Sequence, residues 1–150
     1  MMMIQAYPFR NCTHVILDLP WDTMEDVVET AKIISALPTH EIKLHALYII
    51  KNTVMADWYK TGEIQLISAE EYVDRVVTFL EYTRPDIVFQ RLIGRAPKEA
   101  TEFANWGMGW WKIRDMIELS SCGATPVKER NARTSRKSRA EFTRLLTKGT

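Results

Sequence analysis

At 150 residues, 46% hydrophobic and 26% charged, the chain matches one ordinary globular domain and not a disordered polymer. No apolar run approaches the ~20 residues that span a bilayer, and "MMMIQAYPFR" lacks the apolar core of a signal peptide, so a soluble, cytoplasmic protein with no membrane partner is expected. The formal charge of +1 hides an asymmetry: residues 126–150 hold eight basic and two acidic side chains, leaving twelve and seventeen in residues 1–125. These two stretches are read separately, as a domain over 1–125 and a basic, flexible tail over 126–150.

In chain order, "HVILDL" (14–19) is a short run of β-formers stopped by Pro20, a buried strand. Thr23 and Asp26 form a weaker capping box, after which Val27, Val28, Ala31, Ile34 and Leu37 recur at helical spacing up to Pro38. "IKLHALYII" (42–50) is apolar on both alternation sets and reads as one strand of a parallel sheet covered by helices. A short helix over 54–60 follows Thr53 and ends near Gly62. Ser68 and Glu71 make a full capping box for the strongest helix, whose buried face is Val73, Val76, Val77 and Leu80. "DIVFQRL" (86–92) is the third strand; a loop containing Gly94, Pro97, Gly107 and Gly109 leads to a last helix over 110–119. The order β-α-β-α-α-β-α implies parallel strands with helical crossovers. Three strands are too few to close a barrel, so the chain is either a small open sheet or part of a larger one.

Ligands of parallel α/β folds gather at the carboxyl ends of the strands. Those ends are "LPWD", "IKNT" and "QRLIGRAP", with Asp22, Lys51, Asn52, Gln90, Arg91 and Arg95. They are either the mouth of a site or ordinary polar strand ends whose arginines pair with surface carboxylates. His14, His40 and His45 show no metal-ligand spacing, and His45 reads as a core histidine with a hydrogen-bond partner. "NWGMGWW" (105–111) resembles an aromatic binding surface, but Trp110, Ile113, Met116 and Ile117 at helical spacing fit core packing better. Cys12 and Cys122 form no CxxxCxxC array, so this chain encodes no cysteine metal cluster and its thiols read as reduced and structural. Dinucleotide, P-loop and nucleophile-elbow motifs are absent.

Three stretches carry a family resemblance. "CTHVILDLPWDT" resembles the "HxIxGLPGET" strand and loop of radical S-adenosylmethionine (SAM) proteins. "IKLHALYIIKNTVMADWYKTGEIQLISAEEYV" and "VFQRLIGRAPKEATEFANWGMGWWKIRDMIE" resemble later segments of the YhcC-like bacterial branch, all in one register from Cys12 to Glu118. The resemblance implies the C-terminal portion of a partial TIM-type (β/α) barrel, with parallel strands and covering helices. It also implies S-adenosylmethionine and a [4Fe–4S] cluster as parent cofactors, whose reductive cleavage chemistry yields a 5′-deoxyadenosyl radical. The family's cluster cysteines belong to the half absent from this chain. The chain alone is therefore expected to bind neither group, to be inactive, and to need the missing barrel half or a complementing subunit. By position, the resemblance assigns cofactor contacts to His14, Tyr48, Ile49, Gln90 and Arg91. The family's two glycines in "GLPGE" are Asp18 and Trp21 here, and its glutamate is Asp22, which narrows the backbone approach at that wall.

Two other readings compete. In one, a non-catalytic module binds RNA or a protein partner through Arg133, Arg136, Lys137 and Arg139 of the tail. In the other, an independent small α/β enzyme uses Arg91 and Arg95. If the sheet is part of a barrel, its first strand exposes an edge and the isolated chain associates with itself.

Overall fold

Three parallel strands in the order β1 (Cys12–Ile16), β2 (Glu41–His45), β4 (Val88–Arg91) form the principal sheet of the computed structural model, which describes residues 8–97 and 99–122. The helices are α1 (Met24–Ala36), α2 (Val54–Thr61), α3 (Ala69–Tyr82) and α4 (Trp110–Ser121). Residues 126–150, and with them every reading placed on the basic tail, lie outside the described residues.

Local chemistry sets the helix starts. The Thr23 hydroxyl accepts from the Asp26 N–H, and the Asp26 carboxylate accepts from the Thr23 N–H at 2.7 Å, so this box is complete in both directions. At Ser68 the expected full box is one-way. Its hydroxyl accepts from the Glu71 N–H at 3.1 Å, but the Glu71 carboxylate turns to Arg75 at 2.9 Å. A buried guanidinium in need of an acceptor outcompetes a backbone N–H that water can reach. Between Thr53 and Gly62, α2 is capped as the sequence predicts, with Gly62 at φ +79°, where a side chain is strained.

The stretch read as one strand over 42–50 is two. The Asp18 carboxylate takes the Leu47 N–H with both oxygens, at 2.9 and 3.0 Å, and the chain leaves the parallel sheet after His45. It re-enters pairing as β3 (Ile49–Ile50), antiparallel to β5 (Thr101–Phe103), a strand in the stretch expected to be loop. Ile49, Ala56 and Ile64 are buried there as a second cluster with Tyr59 and Phe103 packed against them.

The main core lies on one side of the principal sheet. Val15, Ile42, Leu44 and Phe89 join Val27, Ala31 and Ile34 of α1, Val73, Val76 and Val77 of α3, and Ile113 and Ile117 of α4. Central α3 touches both α1 and α4. Trp110 and Met116 are half-buried against this cluster, as the core-packing reading of α4 expects. Trp106, at φ 51°, closes the turn before α4: its indole N–H donates to the Ile67 carbonyl at 2.6 Å and its ring packs on Tyr72 and Phe103. No helix of the described residues is long and apolar enough to cross a membrane.

Candidate functional site

Alternation on the strands decides which side chains face away from the helices. On β1 these are Cys12, His14 and Ile16; on β2 they are Glu41, Lys43 and His45, each half-buried or exposed. On β4 the pairing slips: Ile42 faces Phe89, but Lys43 faces Arg91, so Gln90 is an extra residue. This bulge places Gln90 and Arg91, adjacent in sequence, both exposed beyond the core residue Phe89. Gln90 reaches back to the Glu41 carboxylate, which also pairs with Arg10 at 2.9 Å. Arg91 reaches forward to His45.

The result is a polar, open sheet face. Pairing puts His14, Lys43 and Arg91 side by side across three strands. The His14 and His45 rings stack with centroids 5.0 Å apart, and His45 Nε2 lies 3.1 Å from His14 Nδ1. Arg91 Nη2 sits 2.9 Å from His45 Nδ1 and can only donate. The same Arg91 nitrogen is 3.0 Å from His45 Nε2, so which ring nitrogen accepts from it and which faces His14 is set by the tautomer. Partial burial first, then the positive charge of Arg91, His14 and Lys43, pushes the His45 pKa below its ordinary value, in keeping with a neutral ring. His45 is thus a member of a network on the open face and not a core histidine. Two histidines with no shared sequence spacing meet because strand register, not the sequence interval, brings them together.

At the carboxyl ends of the strands lie Asp18, Tyr48, Gly94 and Arg95. Asp18 is 3% exposed, and burial pushes its pKa up to about 6 against the opposing pull of the Leu47 N–H. The Tyr48 hydroxyl is buried with no hydrogen-bond partner among the described residues, and burial raises its pKa. A Cβ at Gly94 would stand 2.6 Å from that hydroxyl and 3.5 Å from Arg91 Nη2. Gly94 is therefore glycine for want of room. Gly94→Ala displaces the Tyr48 ring and costs about 1–3 kcal/mol, checked by urea unfolding together with a change in tyrosine environment by NMR. Among the described residues neither Arg91 nor Arg95 pairs with a carboxylate. Arg91 is held by His45, and Arg95 lies 4.7 Å over the Trp110 ring.

The residues assigned by position divide. Tyr48 and Arg91 meet around Gly94 near the end of β4, whereas His14 stands mid-strand on β1, stacked on His45. Gln90 is held toward Glu41, and the Ile49 side chain is closed into the second cluster, so only its backbone is available. Sequence reasoning does not single out Lys43 or Asp18 as site residues; Lys43 is visible only once register aligns it with His14 and Arg91. Cys12 and Cys122 are free thiols, and burial raises the Cys12 pKa.

An open parallel sheet, with helices on one face and a polar surface on the other, defines an α/β domain of the kind that binds ligands at its strand ends. The Radical_SAM C-terminal domain matches residues 39–120, and the chain belongs to that family. It is 30% identical over 123 residues to the uncharacterized protein YtqA of Bacillus subtilis, covering 81% of this chain and 38% of YtqA. It is 33% identical over 109 residues to the uncharacterized protein MJ0486 of Methanocaldococcus jannaschii (72% and 34%), and 26% identical over 110 residues to YhcC of Escherichia coli K12 (73% and 35%). The chain spans about a third of the length of these curated relatives.

Proposed function

We propose that this chain is the closing wall of a cytoplasmic radical SAM (β/α) barrel, inactive by itself and completed by a segment or subunit that carries the cluster-binding cysteines. The observation that carries the reading is the one-sided cover of the parallel sheet. In a (β/α) barrel, helices ring the outside and the opposite face of every strand is interior. Among the described residues that opposite face is polar and carries no helix, and β1 and β4 are both outer strands of the sheet. A self-sufficient doubly wound sheet would carry helices on both faces.

The residues do not fit a [4Fe–4S] cluster, since among the described residues no three His, Cys, Asp or Glu side chains could hold a metal ion. That group belongs to the completing segment. S-adenosylmethionine fits better. The buried, unpartnered Tyr48 hydroxyl needs a polar partner of the kind nucleoside nitrogens and hydroxyls provide. Bound, that cofactor supplies the family's radical chemistry. The chain's own part is to offer Tyr48 as polar wall at the strand ends and to keep water out through the apolar layer behind it. The RNA- or protein-binding reading rests on residues 126–150, and nothing in the described residues favours it.

Co-expression of this chain with the reading frames flanking its gene tests the proposal. One frame bearing CxxxCxxC should yield a product that co-purifies with the chain and, after anaerobic iron–sulfide reconstitution and reduction of the cluster with dithionite, releases 5′-deoxyadenosine and methionine from S-adenosylmethionine. The chain alone should release none. Failure of every such frame to co-purify, or turnover by the chain alone, overturns the reading.

A further inference from the structure

The polar sheet face has a charge pattern that cofactor binding does not use up. Lys43 is half-buried on the central strand, between His14 on one side and Arg91 on the other. Neighbouring strands lie ~4.8 Å apart, so three nitrogen-bearing side chains share a span of about 10 Å. Glu41 is the one carboxylate carried on this face by the three strands, and Arg10 and Gln90 already occupy it. The rim carboxylate Asp18 aims both oxygens at the Leu47 N–H. Lys43 has no hydrogen bond or ion pair among the described residues, and Arg91 bonds only to a neutral ring. Two full positive charges and a histidine therefore stand together with no free counterion among the described residues.

From this row we infer that His14, Lys43 and Arg91 form a binding site for a phosphate-bearing ligand, the substrate class of the proposed barrel. A guanidinium fork beside an ammonium matches the several oxygens and double charge of a phosphate better than the single charge of a carboxylate. Burial first, and then the charges of Arg91, His14 and Lys43, lower the His45 pKa, in keeping with a positive row. The inference rests on the barrel reading for the ligand's role as substrate, though not for its binding, since all three residues are in this chain.

The test is an NMR titration of the full chain with inorganic phosphate at constant pH and ionic strength, following the histidine Cε1–H signals. His14 and His45 should shift saturably while His40, which bonds to Asn11 away from the row, stays still. Lys43→Gln should weaken the apparent affinity about tenfold, the size of one lost charge-assisted hydrogen bond, and Lys43→Arg should restore it. Unmoved His14 and His45 signals overturn the site, even if phosphate binds elsewhere, such as on the basic residues of 126–150. So does a Lys43→Gln variant that binds as tightly as the parent. S-adenosylmethionine as titrant separates the sources: shifts with it and none with phosphate would assign the row to the cofactor's carboxylate and overturn the phosphate site. No partner or cluster enters this titration, so its failure is distinct from failure of the co-expression experiment.

Discussion

Arg75→Met lowers the unfolding free energy by about 3 kcal/mol, read as a fall in urea midpoint at unchanged slope. Arg75 is 4% exposed in the middle of α3, where a charge is costly unless fully engaged. Its guanidinium donates to the Leu17 carbonyl at 3.0 Å, the Asp22 carbonyl at 2.9 Å and the Glu71 carboxylate at 2.9 Å. One side chain thus ties the end of β1 and the loop before α1 to the helix behind the sheet. Methionine keeps the apolar stem and removes every donor, which leaves the buried Leu17 carbonyl without its partner. Glu71 is half-exposed and regains water, so most of the loss comes from the two carbonyls. Arg75→Lys, with its charge and a shorter reach, should fall between the two. A loss under about 1 kcal/mol for Arg75→Met would show that water replaces the guanidinium and that the tie is unimportant.

Asp18→Asn has the opposite sign above neutral pH. The folded pKa of Asp18 is about 6, above its ordinary value of 3.8, because burial penalises the anion. A raised folded pKa means the group's stabilising contribution is complete below pH 3.8 and lost as pH rises through 6. At about 1.4 kcal/mol per unit, the parent protein loses roughly 3 kcal/mol from this group between about pH 4 and pH 7. Asparagine does not titrate and keeps an oxygen to accept the Leu47 N–H. The stability difference between variant and parent should therefore move in favour of Asp18→Asn by roughly that amount from about pH 4 to 7.5. Comparing the two chains at each pH cancels the other titrating groups. A difference that stays constant over this range would mean Asp18 does not titrate there. The buried Asp18 carboxylate takes the Leu47 N–H where the chain leaves the parallel sheet.

Periodicity and caps made most of the elements legible. The apolar stripes of α1, α3 and α4, the Thr53 and Gly62 limits of α2, and the presence of three principal strands follow from local patterns, because each depends on residues within a few positions of one another; the end of β2 at His45 does not. The resemblance, in its later two segments, agrees with the family match over residues 39–120. The site is less legible. His14 and Arg91 both reach His45, and Tyr48 lies beside Gly94, but in the sequence Lys43 looks like any polar strand residue and His45 like a core one. Both belong to the open face because β2 is covered on one side only, which no stretch of β2 reveals.

The run "VFQRLIGRAP" divides the two kinds of information. Its residues by themselves determined a buried strand giving way to polar groups, since Val88 and Phe89 are β-formers and Gly94 and Pro97 end regular pairing. Only the tertiary structure decided that Gln90 is inserted in the pairing with β2, so that Gln90 and Arg91 are both exposed and Arg91 meets His45. The same holds for the capping boxes, where Glu71 serves Arg75 and not its own helix start. Hydrophobic spacing is written into the chain every two or four residues; which polar partner a side chain finds is settled by strands and helices that lie tens of residues away.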